Sequence, residues 1–113
     1  MTTNQFRKLA LSLPEASENS HMGHPDFRVG GKIFATIPSP NDDRGMVKLS
    51  REEQSTLVLS EPEIFQPCQG AWGRQGCTYV NLRKATKPIV QLALISAWRN
   101  TAPKHLIRKL DDE

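Results

Sequence analysis

Residues 26–37 read DFRVGGKIFATI, and this stretch decides the fold. Phe27 and Val29 alternate with Asp26 and Arg28, two glycines intervene, and a second alternating run follows from Lys32 to Ile37. Period-two alternation sends successive side chains to opposite faces of a strand. Gly30-Gly31 supplies the positive φ that a two-residue turn requires. The stretch is therefore predicted to be a β-hairpin, and hairpins make antiparallel sheet.

Working outward, SENSHM (17–22) reads as a first, mostly polar strand, PSPNDDRG (38–45) as a turn, and MVKLS (46–50) as a further strand with Val47 and Leu49 to one side. Before them, residues 2–13 read as a helix. Phe6, Leu9, Ala10 and Leu13 share one face by i, i+3, i+4, i+7 spacing, Thr2 and Gln5 suit a capping box, and Pro14 marks the stop. Ser50 opens a second helix, SREEQSTLVLS, with Glu53 as its capping-box partner. Glu52 and Glu53 sit in its first turn, where the helix dipole favours negative charge, so they need no catalytic explanation.

EPEIFQPCQG (61–70) bends the chain into a last strand, GCTYVNLRK (76–84). Its alternation sends Thr78, Val80 and Leu82 to the core and Cys77, Tyr79, Asn81 and Arg83 to the other face. Thr86 is the expected cap of KPIVQLALISAWRN (87–100), with Pro88 in the first turn and Leu92, Ile95 and Trp98 as its core residues. Ala102-Pro103 breaks that helix, and KHLIRKL (104–110) forms a short closing one. Helix, three or four strands, helix, one or two strands, helix: the expected class is α+β, a single domain over residues 1–113 with an antiparallel sheet packed against helices.

At 113 residues roughly two-thirds of the unfolded surface can be buried, so neither disulfide nor metal is needed for stability. No apolar run approaches the ~20 residues that span a bilayer. MTTNQFRKLA has no signal-peptide core, so the cytoplasm is the expected compartment, with Cys68 and Cys77 reduced. His21, His24 and the two cysteines lack zinc-finger spacing, and C-x-x-C is absent, so no metal or cofactor is expected. P-loop, dinucleotide, nucleophile-elbow and H-E-x-x-H patterns are missing too. Nothing in the spacing brings Cys77 to any of the three histidines, so the chain is expected not to be an enzyme.

Charge is more informative by position than by total. Residues 1–60 hold seven Lys/Arg and seven Asp/Glu, whereas Gln66 to Leu110 holds eight basic residues and no acidic one. Within that span, GAWGRQGCTYVNLRKATK (70–87) interleaves Trp72 and Tyr79 with Arg74, Arg83, Lys84 and Lys87. Cations neutralise phosphates and release condensed counterions, and aromatics among them stack on bases or wedge into a groove. Trp72, between glycines, either stands exposed on a loop beside Arg74 or folds back over the core. The cations either share a face or scatter. The Gly30-Gly31 hairpin tip, flanked by Arg28 and Lys32, is a second possible contact.

HPDFRVGGKIFATI, VKLSREEQ, GAWGRQGCTYVNL and SAWRNTAPKHL occur in an order and at spacings that resemble the MmcQ/YjbR family, over nearly the whole chain. The resemblance implies an α+β fold related to the CyaY-like group, an antiparallel sheet backed by helices. It also implies a double-wing arrangement of hairpins of the kind labelled DNA-binding, a label that rests on shape. It offers no catalytic set to carry over. Where this chain has Cys77, the family commonly has a second Trp.

The expected function is thus non-enzymatic, weak and non-specific binding of double-stranded DNA by a monomer, mainly through phosphates. The expected contacts are Arg28, Lys32, Trp72, Arg74, Arg83, Lys84 and Lys87. The alternative is a protein-interaction or small-ligand module whose basic face meets an acidic partner.

Overall fold

The computed structural model describes residues 1–21, 23–39 and 42–112, the side chain of His21 excepted. The expected turn over PSPNDDRG falls partly outside them, at Pro40 and Asn41, as does Met22 of SENSHM.

In chain order the elements are α1 (Thr3–Leu11), β1 (Ser17–His21), β2 (His24–Val29), β3 (Lys32–Ser39), β4 (Arg44–Lys48), α2 (Arg51–Ser60), β5 (Phe65–Pro67), α3 (Gly70–Arg74), β6 (Cys77–Asn81), α4 (Lys87–Thr101) and α5 (Lys104–Asp111). Among the described residues the six strands form one sheet in the order β1-β2-β3-β4-β6-β5, antiparallel throughout. The β2–β3 hairpin turns at Gly30 and Gly31, with φ of 59° and 79°, the paired positive values of a tight hairpin turn.

Both predicted capping boxes are present. Thr2 Oγ1 accepts from Gln5 N at 3.1 Å while Gln5 Oε1 accepts from Thr2 N at 2.8 Å. Ser50 and Glu53 repeat the exchange at the start of α2. Burial pushes the Glu53 carboxyl up, yet hydrogen bonds from Asn100 and Ser50 outweigh it and hold the group below its usual range. Thr86 precedes α4 but its side chain makes no capping hydrogen bond.

One face of the sheet is dry. Phe27, Ala35, Val47 and Thr78 pair across β2, β3, β4 and β6, all buried. Phe6 and Ala10 of α1, Leu106 of α5, and Val90, Ala93, Leu94, Ala97 and Trp98 of α4 complete the core, with Leu57 and Val58 of α2 packed at its margin. Phe6 meets Phe27 edge-on, ring centroids 6.2 Å apart. Leu92, expected in this core, is instead 56% exposed. The buried stripe of α4 runs 90-93-94-97-98, so the 92-95-98 spacing selected a neighbouring stripe that meets the true one only at Trp98.

Candidate functional site

The opposite face has no such cover. Cross-strand pairing strings Asn19, Asp26, Thr36, Met46, Tyr79 and Gln66 into one row across all six strands. In β4 the alternation that buries Gly45 and Val47 leaves Arg44, Met46 and Lys48 half-buried on this side. β6 adds Cys77, Tyr79 and Asn81.

Overhanging the β6 end is α3, a single short turn of helix where a loop was expected. Gly73 is why it sits so close. A Cβ at this position would lie 1.7 Å from the Cys68 carbonyl oxygen, so only glycine allows the approach. Gln54 Nε2 donates to the Gly73 carbonyl at 2.9 Å and to that of Cys77 at 3.0 Å, tying the turn to β6. Held in this way, Trp72 stands 63% exposed. Of the two readings of this residue, the open one describes the structure.

Beneath it lies a cup of about 180 Å³ lined by Thr36, Pro38, Met46, Cys68, Gln69, Trp72, Cys77 and Tyr79. Lys48 Nζ lies 5.8 Å from the Trp72 ring centroid, within cation–π range. At the other end the Arg44 guanidinium lies 4.6 Å from the Tyr79 centroid. Beyond Lys48, a trough of about 410 Å³ runs along Arg28, Gly31, Lys32, Ile33, Asn100 and Thr101. Lys48 lines the trough and lies beside the indole that walls the cup.

The seven expected contact residues fall into two groups. Arg28 and Lys32 line the trough with Lys48, at the sheet end that the C-terminus of α4 also reaches, while Trp72 walls the cup and Arg74 is exposed on the last turn of α3. Arg28 is committed: its guanidinium holds the Asp26 carboxylate through two hydrogen bonds, 2.9 and 3.2 Å, and Asp26 is 2% exposed. Arg83, Lys84 and Lys87 lie elsewhere. Arg83 pairs with Asp43 at 3.0 Å and Lys84 with Glu63 at 3.7 Å, in a corner that also holds Asp42. Lys87 lines a groove against Met1, Gln5 and Lys8, beside α1. The acid-free span is thus not acid-free in space, because Asp43, Glu63 and Asp111 come from outside it to Arg83, Lys84 and Arg99. Among the described residues Lys32, Lys48 and Arg74 form no ion pair.

Lys48, Arg44 and Met46 escaped the sequence reading because they belong to the charge-balanced half of the chain. The signal was there: in RGMVK, placing Val47 inward places Met46 and Lys48 outward.

The two thiols share the cup. Cys68 N donates to the Cys77 carbonyl at 2.9 Å, so the residues face each other across β5 and β6. Burial first, then the neighbouring Cys77, pushes the Cys68 thiol up to about 11, against a hydrogen bond from Tyr79 and the charge of Arg44. Burial likewise raises Cys77, against Lys48. Both stay protonated at neutral pH, the wrong state for a nucleophile. Among the described residues no three His, Cys, Asp or Glu side chains come together as a metal-binding group.

Among the described residues no helix is long and apolar enough to cross a membrane. No curated protein matches the chain. Its structure is similar to the crystal structure of Deinococcus radiodurans protein DR2400, a DUF419 domain, with a TM-score of 0.73 over 97% of this chain and 88% of that one. At 18% identity that likeness concerns the fold. The family model named YjbR matches residues 11–105, from the end of α1 into α5 and through every strand, and the chain belongs to the YjbR family.

Proposed function

We propose that the chain is a non-catalytic nucleic-acid-binding module that meets the phosphate backbone with the Lys48 end of its open sheet face. The observation that carries this reading is Trp72. Tryptophan is highly buried on average, yet this indole is held 63% exposed, with Lys48 beside it. Lys32 lines the trough with Lys48, and Arg74 is exposed on the short helix that carries Trp72. A polyanion gains from each cation it meets by shedding counterions, and an exposed aromatic adds stacking surface. The raised thiol pKa values argue against a cysteine nucleophile at this face.

Affinity is modest on this account. Three to four phosphate contacts give a log–log salt slope of about −3 and non-specific dissociation constants on the order of 10⁻⁴ to 10⁻⁶ M. Fluorescence anisotropy of labelled oligonucleotides across a salt series tests it. The expected result is binding that falls with that slope and is abolished by the double charge reversal Lys32→Glu/Lys48→Glu. Absence of binding at about 20 mM salt, or binding indifferent to salt, contradicts it. In that event the face serves an acidic protein or a small ligand.

A further inference from the structure

The cup and the trough are two hollows of different chemistry, linked by Lys48, which lines the trough with its ammonium 5.8 Å from the Trp72 ring that walls the cup. We infer that together they hold one unpaired nucleotide, its base in the cup against Trp72 and its phosphate in the trough between Lys48 and Lys32. The inference rests on the polyanion reading above and names the unit recognised.

Pro38, Met46 and the Trp72 indole give the cup apolar walls, and its size, about 180 Å³, suits a single planar ring system. Thr36 and Gln69 lie on the same lining, and a hydroxyl and an amide can both donate to and accept from a base edge. The 5.8 Å between Lys48 Nζ and the indole centroid is short enough for one sugar to bridge a base on the ring and a phosphate on the ammonium.

In the trough, Asn100 and Thr101 are already engaged. Asn100 Nδ2 donates to Glu53 and to the Lys48 carbonyl, and Thr101 Oγ1 donates to the Ala97 carbonyl. Arg28 is engaged by Asp26. The phosphate therefore falls to Lys32 and Lys48. The C-terminus of α4 borders the trough, and its dipole opposes an anion with roughly half an elementary charge. Two whole lysine charges outweigh that.

A duplex keeps its bases paired and stacked, out of reach of a recessed cup. A single strand or a free nucleotide does not. Both sources present the same chemistry, and the test separates them.

Trp98 is fully buried, so quenching of tryptophan fluorescence reports on Trp72. The full chain is titrated with a deoxyadenylate strand of about eight nucleotides, an abasic strand of equal length, the deoxyadenylate strand annealed to its complement, and AMP. The inference predicts saturable quenching by the intact strand and affinity at least about tenfold above that for the abasic strand and the duplex. By anisotropy, Trp72→Ala loses roughly tenfold in affinity while Trp72→Phe, which still stacks, keeps most of it. AMP quenching at concentrations equal to the strand's assigns the site to free nucleotides. A strand at least about tenfold tighter than AMP assigns it to nucleic acid. Equal binding of intact strand, abasic strand and duplex, or an unchanged Trp72→Ala variant, overturns the inference and leaves the phosphate reading standing. If no probe binds, both fall.

Discussion

Trp98 and Trp72 lie on opposite sides of one sheet, and their surroundings could hardly differ more. Trp98 is fully buried among Phe6, Ala10 and the strands, its indole N–H donating to the Pro14 carbonyl at 3.0 Å. Trp72 is 63% exposed on a turn that only a glycine lets approach the sheet, with Lys48 beside its ring. The first indole stabilises the fold by leaving water and keeping its one donor satisfied. The second leaves most of its ring in water and makes no hydrogen bond to the described residues through its indole N–H. Its position is maintained by other residues, namely Gly73, Gln54 and the Cys68–Cys77 backbone bond. Residue type alone assigns neither role; what packs around the ring does.

Truncating both rings should break the symmetry most plainly. Trp98→Ala is expected to cost about 3–5 kcal/mol in chemical denaturation, the range for emptying a large aromatic site in a core. Trp72→Ala should change stability by no more than about 0.5 kcal/mol, as ordinary surface substitutions do. Comparable losses at the two positions would mean that Trp72 is structural.

Gly73→Ala approaches the same contrast through the backbone. The added methyl group must displace α3 from the Cys68 carbonyl, so a loss of about 1–3 kcal/mol is expected. Oligonucleotide affinity should fall with it, because Trp72 is carried away from Lys48. An alanine accommodated without loss of either would show that the close approach does not position the indole.

The smallest effect concerns the thiols under the indole. The Cys68 pKa is raised to about 11 in the fold. A raised folded-state value contributes stability that is present below the ordinary thiol range and is lost as pH rises through that range toward the folded value. Stability should therefore decline gently above about pH 9, and Cys68→Ser should flatten the decline. Alkylation near pH 7.5 should be slow in the fold and fast in urea. Rapid labelling of the folded chain would reveal a thiolate, and with it a case for chemistry at this face.

Much of the fold could be read locally, because its signals are local. The Gly30-Gly31 turn, the two capping boxes and the alternation of β6 each need only a few neighbouring residues to specify them. Leu92 shows where that stops. In KPIVQLALISAWRN apolar residues occupy several helix faces, and only the packing partner selects the stripe through Val90, Ala93, Leu94 and Ala97. The candidate site was legible in part. Trp72, Arg28 and Lys32 stand out in sequence, and Lys48 connects them in space, lining the trough with the two cations and lying beside the indole. Arg83 and Lys84 stand out equally, yet Asp43, 40 residues from Arg83 in sequence, and Glu63 reach them across the fold. Lys48 hid among balanced charges, and strand pairing placed it beside Cys77 and the indole. Charge counted along a chain does not record which opposite charges the fold will bring to it.

If the open face is the one that binds, a ligand marks that face and spares the helical side. Two-dimensional amide NMR of the folded chain, titrated with a short deoxyadenylate strand at low salt, examines that face and the helical side in a single experiment. Shifts are expected at Thr36, Met46, Lys48, Cys77 and Tyr79, the Gly31–Lys32 turn, Asn100 and Thr101 at the end of α4, and the Trp72 indole, with the Trp98 indole and α1 unmoved. Shifts centred on α1, the start of α4 and Lys87, or on the Arg83–Asp43 corner, would contradict binding by the open face.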